Sequence, residues 1–150
     1  MLRNSLNDAL KDAMRNKDKL AISTLRLILA AMKDRDIAAR GEGRDPIGEE
    51  DLLEMLQKMI RQRRDSIEMY EKAGRTELAE REQSEIGVIE VFLPKQMSAE
   101  EVEQVVIDLI AELGADSIKD MGKVMGALKS TYAGKMDFGK ASAVVKKQLV

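Results

Sequence analysis

Ser98-Ala99-Glu100-Glu101 is followed by Val102, Val105, Val106, Leu109, Ile110 and Leu113, and then by Gly114. This stretch is a complete helix written in sequence. Apolar residues recur at i, i+3, i+4 and i+7, the spacing that puts them on one face at 3.6 residues per turn. Ser98 and Glu101 form a capping box in which each side chain satisfies the other's backbone donor. Gly114 supplies the left-handed residue on which helices commonly end. A chain that repeats this pattern, with no run of alternating apolar and polar residues, is restricted to helix-on-helix packing.

The same punctuation recurs upstream. A short helix is expected from about residue 2 to 14, with Leu2, Leu6, Ala9, Leu10 and Ala13 on one side. Residues 16–19 interrupt it, and a longer helix carrying Ala21, Leu25, Ile28, Leu29 and Met32 runs to about Arg40. The clearest loop is 41–48, with three glycines and Pro46. Glu49, Glu50 and Asp51 open a third helix, their charges facing the positive end of its dipole, and Gly74 closes it. Thr76 is the expected cap of a fourth helix that reaches Phe92-Leu93 and is stopped by Pro94. Beyond the 98–113 helix, another is expected from about Ser117 through Met121, Val124, Met125 and Leu128 to Ala133-Gly134. Asp137 caps a last one bearing Ala141, Val144, Val145 and Leu149. The expected protein is all-α, with a four-helix bundle over residues 1–93 and a three-helix domain over 94–150.

Composition narrows the chemistry. Apolar residues make up 44% of the chain and aromatics only 3%, so the core must be aliphatic and methionine-rich. There is no histidine and no cysteine, which removes thiol redox, zinc fingers, cysteine nucleophiles and histidine-centred triads. The acidic clusters 49–51 and 100–101 sit in first helical turns, where capping accounts for them. No metal, no cofactor and no catalytic residue is therefore expected. No apolar run approaches the about 18 residues of a membrane span, and no membrane partner is expected. Met1 leads directly into charged amphipathic sequence, and the expected location is cytoplasmic.

Two basic features stand against this acidic background. Arg61, Arg63 and Arg64 cluster on the third helix, with Asp65, Glu68 and Glu71 near enough to neutralise them on a solvated face. The net charge is -2, yet residues 114–150 hold seven Lys and three Asp, a balance of +4. On the sixth helix, taking about 100° per residue from Lys119, Gly122, Lys123, Gly126, Lys129 and Ser130 fall on one side. Met121, Val124, Met125 and Leu128 fall on the other. The run 122–130 has the wrong glycine–lysine spacing for a phosphate-binding loop and keeps its helical period throughout. Glycine inside a helix costs about 0.5–1 kcal/mol relative to alanine. Two of them on an outward face sacrifice stability where core packing does not require it. Two kinds of occupant suit such a strip. One is an anionic partner held by Lys119, Lys123 and Lys129, with Lys135 and Lys140 extending the face. The other is a helix, either from the last helix or N-terminal bundle of the same chain or from a protein partner, which would make the chain an interaction or structural module without RNA binding.

Longer runs carry a resemblance. Ser117-Ile-Lys-Asp-Met-Gly-Lys-Val-Met-Gly-Ala-Leu-Lys and Gly134-Lys-Met-Asp-Phe-Gly-Lys-Ala-Ser-Ala-Val-Val-Lys resemble the GatB/YqeY domain, as does Glu90-Val-Phe-Leu-Pro-Lys-Gln-Met-Ser-Ala-Glu-Glu. Ser23-Thr-Leu-Arg-Leu-Ile-Leu-Ala-Ala-Met-Lys and Tyr70-Glu-Lys-Ala-Gly-Arg-Thr-Glu-Leu-Ala look like the free-standing YqeY type. The resemblance implies a four-helix part joined to a three-helix GatB/YqeY-type domain. That domain is similar to the tail of the B subunit of tRNA-dependent amidotransferase, a tail that contacts the tRNA body away from the chemistry. The family label would be glutamine-dependent carbon–nitrogen ligase, but the kinase cradle and amidase subunit of that enzyme have no counterpart in this sequence. The resemblance implies a non-catalytic module whose partner is a tRNA or a tRNA-processing protein. Its family pattern centres on Lys119, Gly122, Lys123 and Gly126, followed by Gly134, Gly139 and Lys140.

Overall fold

A computed structural model describes residues 1–150. The chain is all-helical: α1 (Leu2–Arg15), α2 (Lys19–Gly41), α3 (Glu49–Lys72), α4 (Thr76–Glu90), α5 (Ala99–Leu113), α6 (Met121–Thr131) and α7 (Phe138–Leu149). A short 3-10 turn (Ile118–Asp120) precedes α6. No helix is long and apolar enough to cross a membrane. The chain divides into two compact units, Met1–Pro94 and Lys95–Val150, each with its own core.

In the first unit α3 packs chiefly on α4 and α1 on α2, while α2 also meets α4. Leu6, Ile28, Leu56, Ile86 and Ile89 are wholly buried at their common centre. Asp18 caps α2 by accepting from the Ala21 N–H at 3.1 Å. Thr76 does not act as a cap. Arg75 occupies the N-cap position, with no side-chain bond, and Thr76 is the first helical residue. The fourth helix also stops at Glu90 rather than reaching Leu93, and 91–93 turn through i→i+3 bonds from Phe92 and Leu93 to Ile89 and Glu90.

The arginine cluster of α3 differs from its expected neutralisation within one helix. Arg63 is 11% exposed, and its Nε donates to Glu85 of α4 at 3.0 Å, with Glu85 itself 12% exposed. Arg64 pairs with Glu90 at 3.7 Å. The partners come from the neighbouring helix because α3 and α4 share the unit's largest interface. Helical spacing cannot reveal a partner on a different helix.

A polar stitch joins α1, α2 and the loop before α3. Arg3 grips Asp36 with two nitrogens at 2.8 and 2.6 Å and donates to the Ile47 carbonyl at 3.0 Å. The Ile47 N–H donates to Asp36 at 3.0 Å. The Arg3 guanidinium, aided by that N–H, holds the Asp36 carboxyl below its ordinary value against the opposing effect of burial. Because the folded-state value is depressed, the stabilisation is complete above the ordinary carboxylate range and is lost as pH falls through the folded value. Asp36→Asn should cost about 1–2 kcal/mol at neutral pH, a range kept low by solvent screening of a partly exposed pair. Its penalty should shrink as pH falls below the ordinary carboxylate range, as chemical denaturation at several pH values would show.

Thr24 is fully buried on α2, and its hydroxyl has no hydrogen-bond partner. Thr24→Val keeps the shape and removes the unsatisfied group, so it should stabilise this unit by roughly 1 kcal/mol in thermal unfolding.

Candidate docking face of the C-terminal unit

The second unit is assembled from its punctuation. Ser98 Oγ accepts from the Glu101 N–H at 3.1 Å, and the Glu101 carboxylate accepts from the Ser98 N–H, which completes the capping box of α5. Gly114 ends α5 with φ +65°, in the left-handed region. The strand-free turn around Gly134 (φ +76°) is then tied to the segment before α5. Gln96 Nε2 donates to the Gly134 carbonyl at 2.6 Å, and the Met97 N–H to the Lys135 carbonyl at 2.9 Å. Asp137 caps α7 by accepting from the Gly139 N–H at 2.9 Å.

On α6, Val124 and Leu128 are fully buried against Val106, Ala141 and Val145, and Met121 and Met125 pack beside them. That inward stripe fixes the rotation of the helix. Gly122, Lys123, Gly126, Lys129 and Ser130 are consequently all exposed. A Cβ built on Gly122 or on Gly126 would meet nothing within 4 Å. No helix of the C-terminal unit is therefore packed onto these glycines.

The structure places the lysines of this set in different settings. Lys119 is exposed but lies in the 3-10 turn, where three residues make a turn, so a single α-helical wheel cannot run through it. Lys123 is engaged. Its Nζ donates to the Leu113 carbonyl at 3.3 Å, satisfying one of the orphan carbonyls at the end of α5. Lys129 is exposed in the last turn of α6. Lys135 lies on the turn after α6 and Lys140 in the first turn of α7, both exposed and on elements separate from the α6 strip.

Two neighbours of this face were not legible as site residues. Asp120 accepts from the Asp116 N–H at 3.1 Å and is thereby held below its ordinary value, with the Lys123 charge acting in the same sense. It fixes the turn that presents Lys119. Ile118 stands 46% exposed immediately before that lysine. It lies three and seven residues before Met121 and Met125, on the apolar side of the wheel, so periodicity gave no reason to expect it at the surface. No three metal-ligating side chains are brought together anywhere in the chain.

Two compact helical units, the smaller one presenting an open glycine–lysine strip, define a helical module with a built surface. Comparison of sequences identifies it further. A family model described as "Yqey-like protein" matches residues 3–149, and the chain belongs to that family. It is similar to proteins named "Altered inheritance of mitochondria protein 41, mitochondrial". The Lachancea thermotolerans protein is 39% identical over 111 residues, 73% of this chain and 58% of the relative. The Kluyveromyces lactis protein is 35% identical over 112 residues, again 73% and 58%. The Saccharomyces cerevisiae (strain YJM789) protein is 30% identical over 125 residues, 83% of this chain and 59% of the relative. The chain thus spans less than two thirds of the length of these curated relatives. Their names overturn the cytoplasmic location expected from the sequence, since they are mitochondrial proteins. The expectation leaned on the charged amphipathic start of the sequence and on the absence of cysteine, and neither feature reports a compartment.

The open glycines generate a stability prediction. Gly126 lies in the interior of α6 with nothing over it, so Gly126→Ala should stabilise the unit by about 0.5–1 kcal/mol. Gly122, in the first turn, should give less. Urea unfolding of the two variants would check both the sign and the order.

Proposed function

We propose that this protein is a non-catalytic docking module that engages a tRNA, or a tRNA-bound protein, through the exposed strip of its C-terminal unit. The observation that carries the reading is the pair Gly122 and Gly126, bare on the solvent side of α6 and bordered by lysines. Side-chain-free backbone permits close approach by a bulky partner, and the flanking ammonium groups favour phosphate. The +4 balance of residues 114–150 favours the same sign of partner within an otherwise acidic chain. The resemblance to the tail of the amidotransferase B subunit supplies the tRNA context. The amidation chemistry is not part of the proposal, because the kinase cradle and amidase subunit that carry it in the resembled enzyme have no counterpart in this sequence.

Lys119, Lys129 and Lys140 are the residues to remove, because Lys123 also caps α5 and its loss would confound binding with stability. With about three to five phosphates neutralised, the slope of log K against log salt should approach about 0.9 per phosphate on duplex regions. The triple alanine variant should lose most tRNA binding in filter retention at low salt, with its thermal midpoint nearly unchanged. Absence of wild-type retention at low salt would sink the nucleic-acid reading. If Gly126→Leu abolishes capture of a protein partner while the lysine variant does not, the strip is a helix-docking surface instead.

A further inference from the structure

The first unit contains a cleft whose chemistry differs from that of the C-terminal face. It has a volume of about 530 Å³ and lies where α1 turns into α2, lined by Met14, Lys17, Lys19, Ile22, Ser23 and Arg26. We infer that this cleft binds an amphiphilic anion, a single negatively charged headgroup on an aliphatic body.

The turn that builds it is tight. Asn16 ends α1, the Lys17 N–H donates to the Met14 carbonyl at 3.2 Å, and the Asp18 N–H donates to the Ala13 carbonyl at 3.0 Å. Helix α2 begins at the next residue. This reversal brings Met14, half exposed at 50%, to the same cleft as Ile22 and gives the site an apolar floor. Lys17 pays for the geometry with φ +56°, the left-handed region that a glycine or asparagine adopts with less strain. The left-handed residue that ends α1 is thus also one of the cations of the cleft.

The charges are unbalanced. The lining contains three cations and no acid. Lys17, Lys19 and Arg26 enter none of the ion pairs of this unit. The nearest acids in sequence are Asp12, which pairs with Arg15, and Asp18, whose carboxylate accepts from the Ala21 N–H at the start of α2. An anionic headgroup would relieve the mutual repulsion of the three cations while an aliphatic body covers Met14 and Ile22. A nucleic acid offers the charge without the apolar body, and a neutral lipid offers the reverse. Two other clefts of the unit have mixed charge. In one, about 460 Å³ between α2, α3 and α4, Arg63 and Arg81 are offset by Glu82 and Glu85, and both arginines already pair with Glu85. In the other, about 490 Å³ beside the loop before α3, Lys33, Arg40 and Arg44 share the lining with Asp36 and Asp45.

Decanoate, below its micelle-forming concentration, is the probe, followed by amide NMR shifts of the full chain. Saturable shifts confined to residues 14–26 are expected, with decanol at the same concentration giving none. Lys19→Gln with Arg26→Gln should raise the Kd roughly tenfold or more, since each close charge contributes several-fold. Met14→Glu, which puts an acid on the floor of the cleft, should do the same. Both variants change exposed side chains, and far-UV circular dichroism would verify their folding. The lysine variant of the C-terminal unit should bind decanoate unchanged, so this site and the proposed tRNA face fail or stand separately. Co-sedimentation with phosphatidylglycerol vesicles distinguishes the source of the ligand. Retention assigns the headgroup to a membrane surface, and decanoate binding without retention assigns a soluble amphiphile. Neither form of binding, shifts spread over the chain, equal binding of decanol, or charge variants that bind like wild type would overturn the inference.

Discussion

Burial of Val124 and Leu128, one helical turn apart, sets the orientation of α6, and the character of the C-terminal unit follows from it. With both side chains inside the second core, no rotation of the helix can hide Gly122, Gly126 or Lys129. The connections around α6 add precision. Gln96 and Met97 tie the entry of α5 to the Gly134–Lys135 turn, and Lys123 reaches the last carbonyl of α5. A core of aliphatic side chains with few aromatics is thereby held in one arrangement by polar bonds at its rim.

The first unit relies on a different combination. Its core is larger, and its helices are joined by ionic groups drawn into their interfaces: Arg3 with Asp36 across α1 and α2, and Arg63 with Glu85 across α3 and α4. A pair as buried as Arg63–Glu85 adds little net stability over an apolar pair, but losing one partner strands the other charge. Such pairs specify which helix faces which. In a bundle of interchangeable leucines, isoleucines and methionines, that selection is otherwise weak.

Much of the fold was readable because helices announce themselves locally. The Ser98–Glu101 box, Gly114 and Asp137 each behave as their sequence context requires. Thr76 misled because a good capping residue is no cap unless the preceding backbone leaves it outside the helix. The docking face was readable only in part. The exposure of Gly122 and Gly126 follows from the apolar stripe, whereas the engagement of Lys123 depends on where α5 ends in space. Lys119 was placed on an α-helix because a 3-10 turn leaves the same apolar spacing as the helix it leads into. The cleft at the α1–α2 junction was invisible, since it arises from the path of one turn that folds residues 14–26 back on themselves.

The bare strip on α6 also bears on the entropy of association. A partner that settles on Gly122 and Gly126 meets peptide groups whose positions are already fixed by the helix, and neither glycine has a rotamer to surrender. The lysines at its margins do lose such freedom when they pair. A surface that is rigid at its centre and mobile at its edge selects first by shape and only then by charge.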